Sequence, residues 1–178
     1  MSDSPLPDYV DARKIFAQRG SVKGLLSLER LSRLLGSLAR PEGEVSVFLD
    51  FQVDDSGRKI IAGQVVAKLS VACQRCLEPL TITIDEQINL LLVADEAGAK
   101  KADPEFDPWI AGEQKIDLAE LVEEQLLLSL PIVSFHGDGP CSDRVRFSTE
   151  AGRDSGTSSK DELSAESPFK VLEALKKS

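Results

Sequence analysis

The 178-residue sequence predicts an α+β fold: a curved, partly barrel-like antiparallel sheet flanked by helices, with a flexible C-terminal extension. Three observations predict it. Residues 44–92 hold three runs of period-two alternation joined by short links. That makes an antiparallel meander, because parallel neighbours need long crossovers. The flanking segments, 11–40 and 117–130, carry apolar residues at helical spacing. Residues 148–166, STEAGRDSGTSSKDELSAE, are rich in Ser, Gly and charge and read as a linker.

In chain order, DARKIFAQR at 11–19 forms a short helix with Ile15 and Phe16 inward, and Gly20 stops it. SVKGLL at 21–26 suits a short strand. Ser27 caps a second helix with Leu28, Leu31, Leu35 and Leu38 on one stripe, ended by Pro41 and Gly43. Val45, Val47, Leu49, Phe51 and Val53 then alternate with polar residues, leaving Phe48 as one apolar exception on the outer face. DDSG at 54–57 is a hairpin turn. The run from Lys59 to Cys73 places Ile61, Val65, Ala67, Leu69 and Val71 on one face, and its length allows a bend that curls the sheet towards a barrel.

A third run, Leu80, Ile82, Ile84, Ile88 and Leu90, follows Pro79. Residues 94–115 are acidic, broken by Pro104 and Pro108, and read as an exposed loop in which Trp109 plugs the sheet edge or meets a partner. Asp117 caps a helix over 117–130, with Glu120 at the capping-box position and a buried stripe of Leu118, Leu121, Val122, Gln125 and Leu128. Pro131 ends it. These elements make a single domain over 1–147, followed by the 148–166 linker. SPFKVLEALKKS at 167–178 returns to amphipathic helix, with Phe169, Leu172 and Leu175 on one side. This tail either docks on the domain or binds another protein in a groove.

The net charge of -9 is uneven: +3 over residues 1–40, -11 over 41–130 and -1 over 131–178. An acidic middle repels phosphates, because Lys and Arg supply most non-specific nucleic-acid affinity. Only the basic N-terminal region, Arg13 to Arg40, offers a nucleic-acid face, and its favoured reading is the solvated side of two short helices. No apolar run approaches the roughly 18 residues that cross a bilayer. The opening MSDSPLPDYVDARK has no apolar stretch, so the expectation is a cytoplasmic chain without membrane contact. One His, one Trp and one Tyr leave little for conventional catalysis, which argues against an enzyme.

Chemistry is concentrated in Cys73-Gln-Arg-Cys76, at the end of the long strand, and in His136 and Cys141 after the last helix. These four are every Cys and His in the chain. A C-x₂-C knuckle with a distant H-x₄-C pair supplies four donors for tetrahedral structural zinc. Two other readings stand beside it: a thiol redox pair, although such pairs usually open a helix, and a turn whose cysteines are held by packing. In all three, Arg75 lies between the sulfurs, exposed to a partner.

CQRCLEPL at 73–80, DLAELVEEQLLLSLPIV at 117–133 with His136 and Cys141 following, and SPFKVLEALKK at 167–177 together resemble the YceD family, the large ribosomal RNA subunit accumulation proteins. The resemblance implies a non-catalytic bacterial factor for synthesis, processing or stability of 23S ribosomal RNA. Cys73, Arg75, Cys76 and Leu77 carry its cysteine block, and Pro168, Phe169 and Leu172 its tail block. Some relatives hold a fuller cysteine-rich segment where this chain has His136 and Cys141. Arg75, Leu77, Phe169 and Leu172 are the expected partner contacts. The expected partner is a ribosomal or RNA-processing protein of basic surface, with the pre-ribosomal RNA reached indirectly. A zinc-stabilised adaptor of another complex is the alternative, and a thiol oxidoreductase the third.

Overall fold

Alternation in the central runs dictates a sheet with one apolar face, and the remaining elements are arranged to cover that face. The computed structural model describes residues 4–110, 115–137 and 141. Strand β1 (Tyr9–Asp11) leads into helix α1 (Ala12–Ala17), and strand β2 (Ser21–Leu26) follows. A 3₁₀ turn at Leu28–Arg30 precedes helix α2 (Ser32–Leu35). The long strands β3 (Gly43–Val53), β4 (Lys59–Ala72) and β5 (Pro79–Val93) come next, then helix α3 (Glu96–Ala99), strand β6 (Asp107–Ile110), strand β7 (Lys115–Asp117) and helix α4 (Leu118–Ser129).

The main sheet has the order β2-β3-β4-β5-β6, antiparallel except for the parallel β5–β6 pair. The chain is therefore α+β with a mainly antiparallel sheet. It does not close into a barrel, because β2 and β6 form its two edges. Val45, Val47, Leu49 and Phe51 on β3 face the same way as Ile61, Val65, Ala67 and Leu69 on β4, all essentially buried. Phe16 of α1 meets Phe51 edge-on, with ring centroids 5.5 Å apart. Gly57, at φ 78, makes the β3–β4 turn. Phe48 stands on the outer face as its alternation requires, and is exposed.

Several local expectations shift. The second N-terminal helix is shorter than 27–38 and broken at Leu31, whose φ of -112 and ψ of 68 interrupt the helical path. Residues 94–115 hold α3 and β6 rather than loop alone, and Trp109 on β6 pairs with Leu92 and packs against the core. The α4 stripe is displaced: Leu118, Leu121, Val122 and Leu126 are buried, while Leu128 is exposed. Helix α4 turns Leu126 onto the sheet, and Leu128, about 200° further round at 3.6 residues per turn, then faces away.

A small second sheet pairs β1 with β7, antiparallel, Tyr9 against Asp117. Both strands run straight into capped helices. Asp11 accepts from the Lys14 N–H at 3.0 Å, and Asp117 accepts from the Ala119 and Glu120 N–H groups at 2.8 and 3.1 Å. A further cap comes from far along the chain. Helix α2 has no cap of its own, and Glu123 of α4 supplies one, accepting from the Arg33 and Leu34 N–H groups at 2.8 and 3.1 Å and from Arg33 Nε at 2.9 Å. Burial pushes the Glu123 carboxyl up, but these donors outweigh it and hold it below the usual carboxylate range.

Glu123→Ala leaves two N–H groups and a guanidinium without their acceptor, and should cost about 2 kcal/mol in urea unfolding. Because the folded carboxyl titrates below its unfolded value, its contribution is full above the ordinary carboxylate range and lost as pH falls through the lowered value. A pH series of unfolding midpoints should show the gap between variant and parent closing on the acid side.

Candidate metal centre

Strand β4 delivers Cys73 fully buried at its end, and the chain turns at once into β5 through Gln74–Glu78. The turn is closed by backbone bonds, Leu77 N–H to Cys73 O at 2.8 Å and Cys73 N–H to Glu78 O at 2.9 Å. Closing it so tightly forces Leu77 to φ 63, the left-handed region that favours glycine. Pro131 ends α4, and residues 131–137 come back along the knuckle. Gln74 fixes them, its N–H donating to Ser134 O at 2.9 Å and its Nε2 to Ile132 O at 3.0 Å. Nothing in the sequence pattern marks Gln74 or Ser134 for this role.

The result brings Cys73, Cys76, His136 and Cys141 together, every donor atom within 4.8 Å of the others. Cys73 Sγ lies 3.6 Å from Cys141 Sγ, and Cys76 Sγ lies 3.4 Å from His136 Nδ1. A tetrahedral zinc with sulfur at about 2.3 Å and nitrogen at about 2.0 Å sets S–S and S–N edges of about 3.8 and 3.5 Å. The donor set fits that ion. His136 Nε2–H donates to Pro79 O at 3.2 Å, the outer bond that frees the Nδ1 lone pair for a cation. Four protein donors leave no open position, so the arrangement suits cross-linking of three segments rather than catalysis.

The titration pattern has the same physical origin. Burial pushes the Cys73 thiol up, but N–H groups of Cys76, His136 and Arg75 more than reverse it and bring it down to about 5. Arg75 Nε, 3.2 Å from Cys141 Sγ, holds that thiol low against burial. The Glu78 N–H lowers Cys76, yet burial and the two neighbouring sulfurs leave it above the usual thiol range. His136 is raised by its hydrogen bonds to Cys141 and Cys73. Two sulfurs ionise readily and the third resists as the last of three like charges, which a divalent cation relieves. A redox thiol must be both low and accessible. Here the lowest one, Cys73, is fully buried.

Arg75 is exposed as a residue, but its guanidinium folds over the cluster. Besides Cys141 it reaches His136 O at 3.3 Å and lies 5.9 Å from the Phe135 ring centre. Leu77 points into solvent, 78% exposed. Phe169 and Leu172 lie outside the described residues.

A family profile described as "Large ribosomal RNA subunit accumulation protein YceD" matches residues 61–176, from β4 through the knuckle and α4 into the tail. The chain belongs to the YceD family. A curated relative of that same name, from Haemophilus influenzae (strain ATCC 51907 / DSM 11121 / KW20 / Rd), is 30% identical over 142 residues, 79% of this chain and 82% of its own length. No solved structure matches. The YceD profile spans all four donors of the cluster.

Leu77→Gly should relieve the left-handed strain and raise stability by about 1 kcal/mol, since the exposed leucine forfeits little packing. Leu77→Ala, which keeps a Cβ, should not. Urea midpoints of the two variants against the parent check this.

Proposed function

We propose that this protein is a non-catalytic, cytoplasmic factor for the accumulation of large-subunit ribosomal RNA, acting through a basic protein partner. Membership of the YceD family over residues 61–176 is the observation that carries the reading. Charge supports the route through protein. A chain of -9 repels phosphates. Two bases of the N-terminal region are also engaged internally, Arg30 with Asp8 at 3.0 Å and Arg33 with Glu123 at 2.9 Å. No described helix is long and apolar enough to cross a membrane. The acidic stretch 94–124 complements a ribosomal or RNA-processing protein and steers the encounter. Phe169 and Leu172 of the tail block, outside the described residues, serve as further contacts in this reading.

Zinc on Cys73, Cys76, His136 and Cys141 is the structural cofactor in this reading. When bound, it neutralises the thiolates and ties the β4–β5 turn to the segment after α4. The chain's own residues prepare the site: Arg75 lowers the Cys141 thiol, and Pro79 orients the imidazole. The natively purified protein should carry one zinc per chain by native mass spectrometry, with all three thiols reacting only after chelation. Acidification should release the metal as the ligands protonate. Metal-free protein with freely reactive thiols would overturn the assignment.

Depleting the protein in its host should lower mature 23S RNA relative to small-subunit RNA, restored by the parent gene. Unchanged 23S RNA sinks the functional reading. For the acidic stretch, Glu96, Glu105 and Asp107 are the residues to reverse. Asp103 is left intact because it holds Arg58 at 3.7 Å and the Glu105 N–H at 3.2 Å. The triple Lys variant should co-sediment less with large-subunit precursors, and the defect should shrink as salt rises. Undiminished co-sedimentation at low salt would remove the steering role.

A further inference from the structure

Ten large apolar side chains are exposed among the described residues. Five lie on β1, β2, β3, β4 and β6, and three of these, Leu25, Val66 and Phe48, are neighbours on the outer face of the sheet among Lys23, Ser46 and Gln64. The other five are gathered on the knuckle, the end of α4 and the segment after it: Leu77, Leu128, Ile132, Val133 and Phe135, with Ile132 94% exposed. The bonds from Gln74 and Arg75 bring the 132–136 segment beside the knuckle, and an exposed apolar grouping of this size marks an interaction surface.

The segment bearing the patch is held in place. Gln74 bonds to Ile132 O and Ser134 O, and Arg75 bonds to His136 O, so these side chains are held outward by the same bonds that build the cluster. A surface ordered in advance loses less entropy on binding. Leu77 is informative by itself. It keeps a left-handed backbone that glycine would adopt without strain, while its side chain packs against little. Strain retained with no packing return in the free chain points to use in a complex. Glu120 and Glu124 follow each other at i, i+4 on α4, in line with Leu128, and the nearby cations are already engaged, Arg33 with Glu123 and Arg75 with Cys141 and His136 O, so the charge left for a partner is acidic.

We infer that this patch is the docking surface for a basic amphipathic segment of a protein partner, one with apolar residues at three-to-four spacing beside Lys or Arg. The inference rests on the proposed route through a protein partner and names the surface that route uses. The apolar anchors give affinity and the flanking glutamates select basic over acidic helices. The same glutamates disfavour RNA at this face.

The test uses the full chain with a benzoylphenylalanine photo-crosslinker at Ile132, mixed with purified large-subunit precursor particles. The expected cross-link joins position 132 to a peptide of a large-subunit or processing protein that has the stated apolar and basic pattern. Leu77→Gly, which keeps the turn, should retain its metal and lower co-sedimentation on the order of tenfold. Ile132→Ser serves as a second variant outside the turn, with the same expected loss. Cross-links to RNA, to a second copy or to residues 167–177 of the same chain would overturn the inference. So would undiminished co-sedimentation of both variants, leaving the parent reading intact. A parent protein that does not co-sediment at all would overturn both.

Discussion

One-sided burial of the β3–β4–β5 meander is the constraint on which the rest depends. The inward side chains from Val45 to Phe51 and from Ile61 to Leu69 form a continuous apolar floor that three strands cannot cover themselves. Removing it from water drives α1 and α4 onto the same face, at roughly 25 cal/mol for each Å² buried. The β1–β7 ribbon and the Glu123 cap then make the two ends of the domain interdependent. Helix α4 lies on the floor through Leu118, Leu121, Val122 and Leu126, and is fixed in rotation by Glu123. Its end, and the path of 130–137, follow from that placement.

The cluster is a consequence of the same geometry. Strand β4 runs long enough to carry Cys73 to the end of the sheet, and the turn into β5 puts Cys76 beside it. The segment leaving α4 brings His136 across, and Gln74 sets its depth. Three sulfurs so close repel one another as they ionise, and the backbone N–H groups and Arg75 compensate only in part. A divalent cation at the cluster would relieve that imbalance.

Strain and exposure meet at Leu77. The knuckle closes by a backbone bond that demands a left-handed residue, and the chain places a leucine there with its side chain outward. The turn that carries Cys73 and Cys76 and the exposed apolar side chains beside it thus share one residue, Leu77. Family membership supplies the biological setting, while the local chemistry supplies rigidity and surface.

The meander, its inward face, the Asp117 cap, the Pro131 stop and the four candidate ligands were legible from the residues alone. Each is a local rule: alternation, capping chemistry, a missing N–H, or donor type and spacing. The β1–β7 ribbon, strand β6, the break at Leu31 and the buried role of Glu123 were not. Tyr9–Asp11 is too short for period-two alternation to stand out, and Glu123 reads as a solvated charge until Arg33 and Leu34 arrive from 90 residues away in sequence. Residue type and spacing therefore dictate which side chains must be buried and which atoms are able to hold a cation. That those atoms converge, and that Leu128 faces water, follows from the folded arrangement. Both depend on how α4 is rotated on the sheet, and that rotation comes from long-range packing that no local window contains.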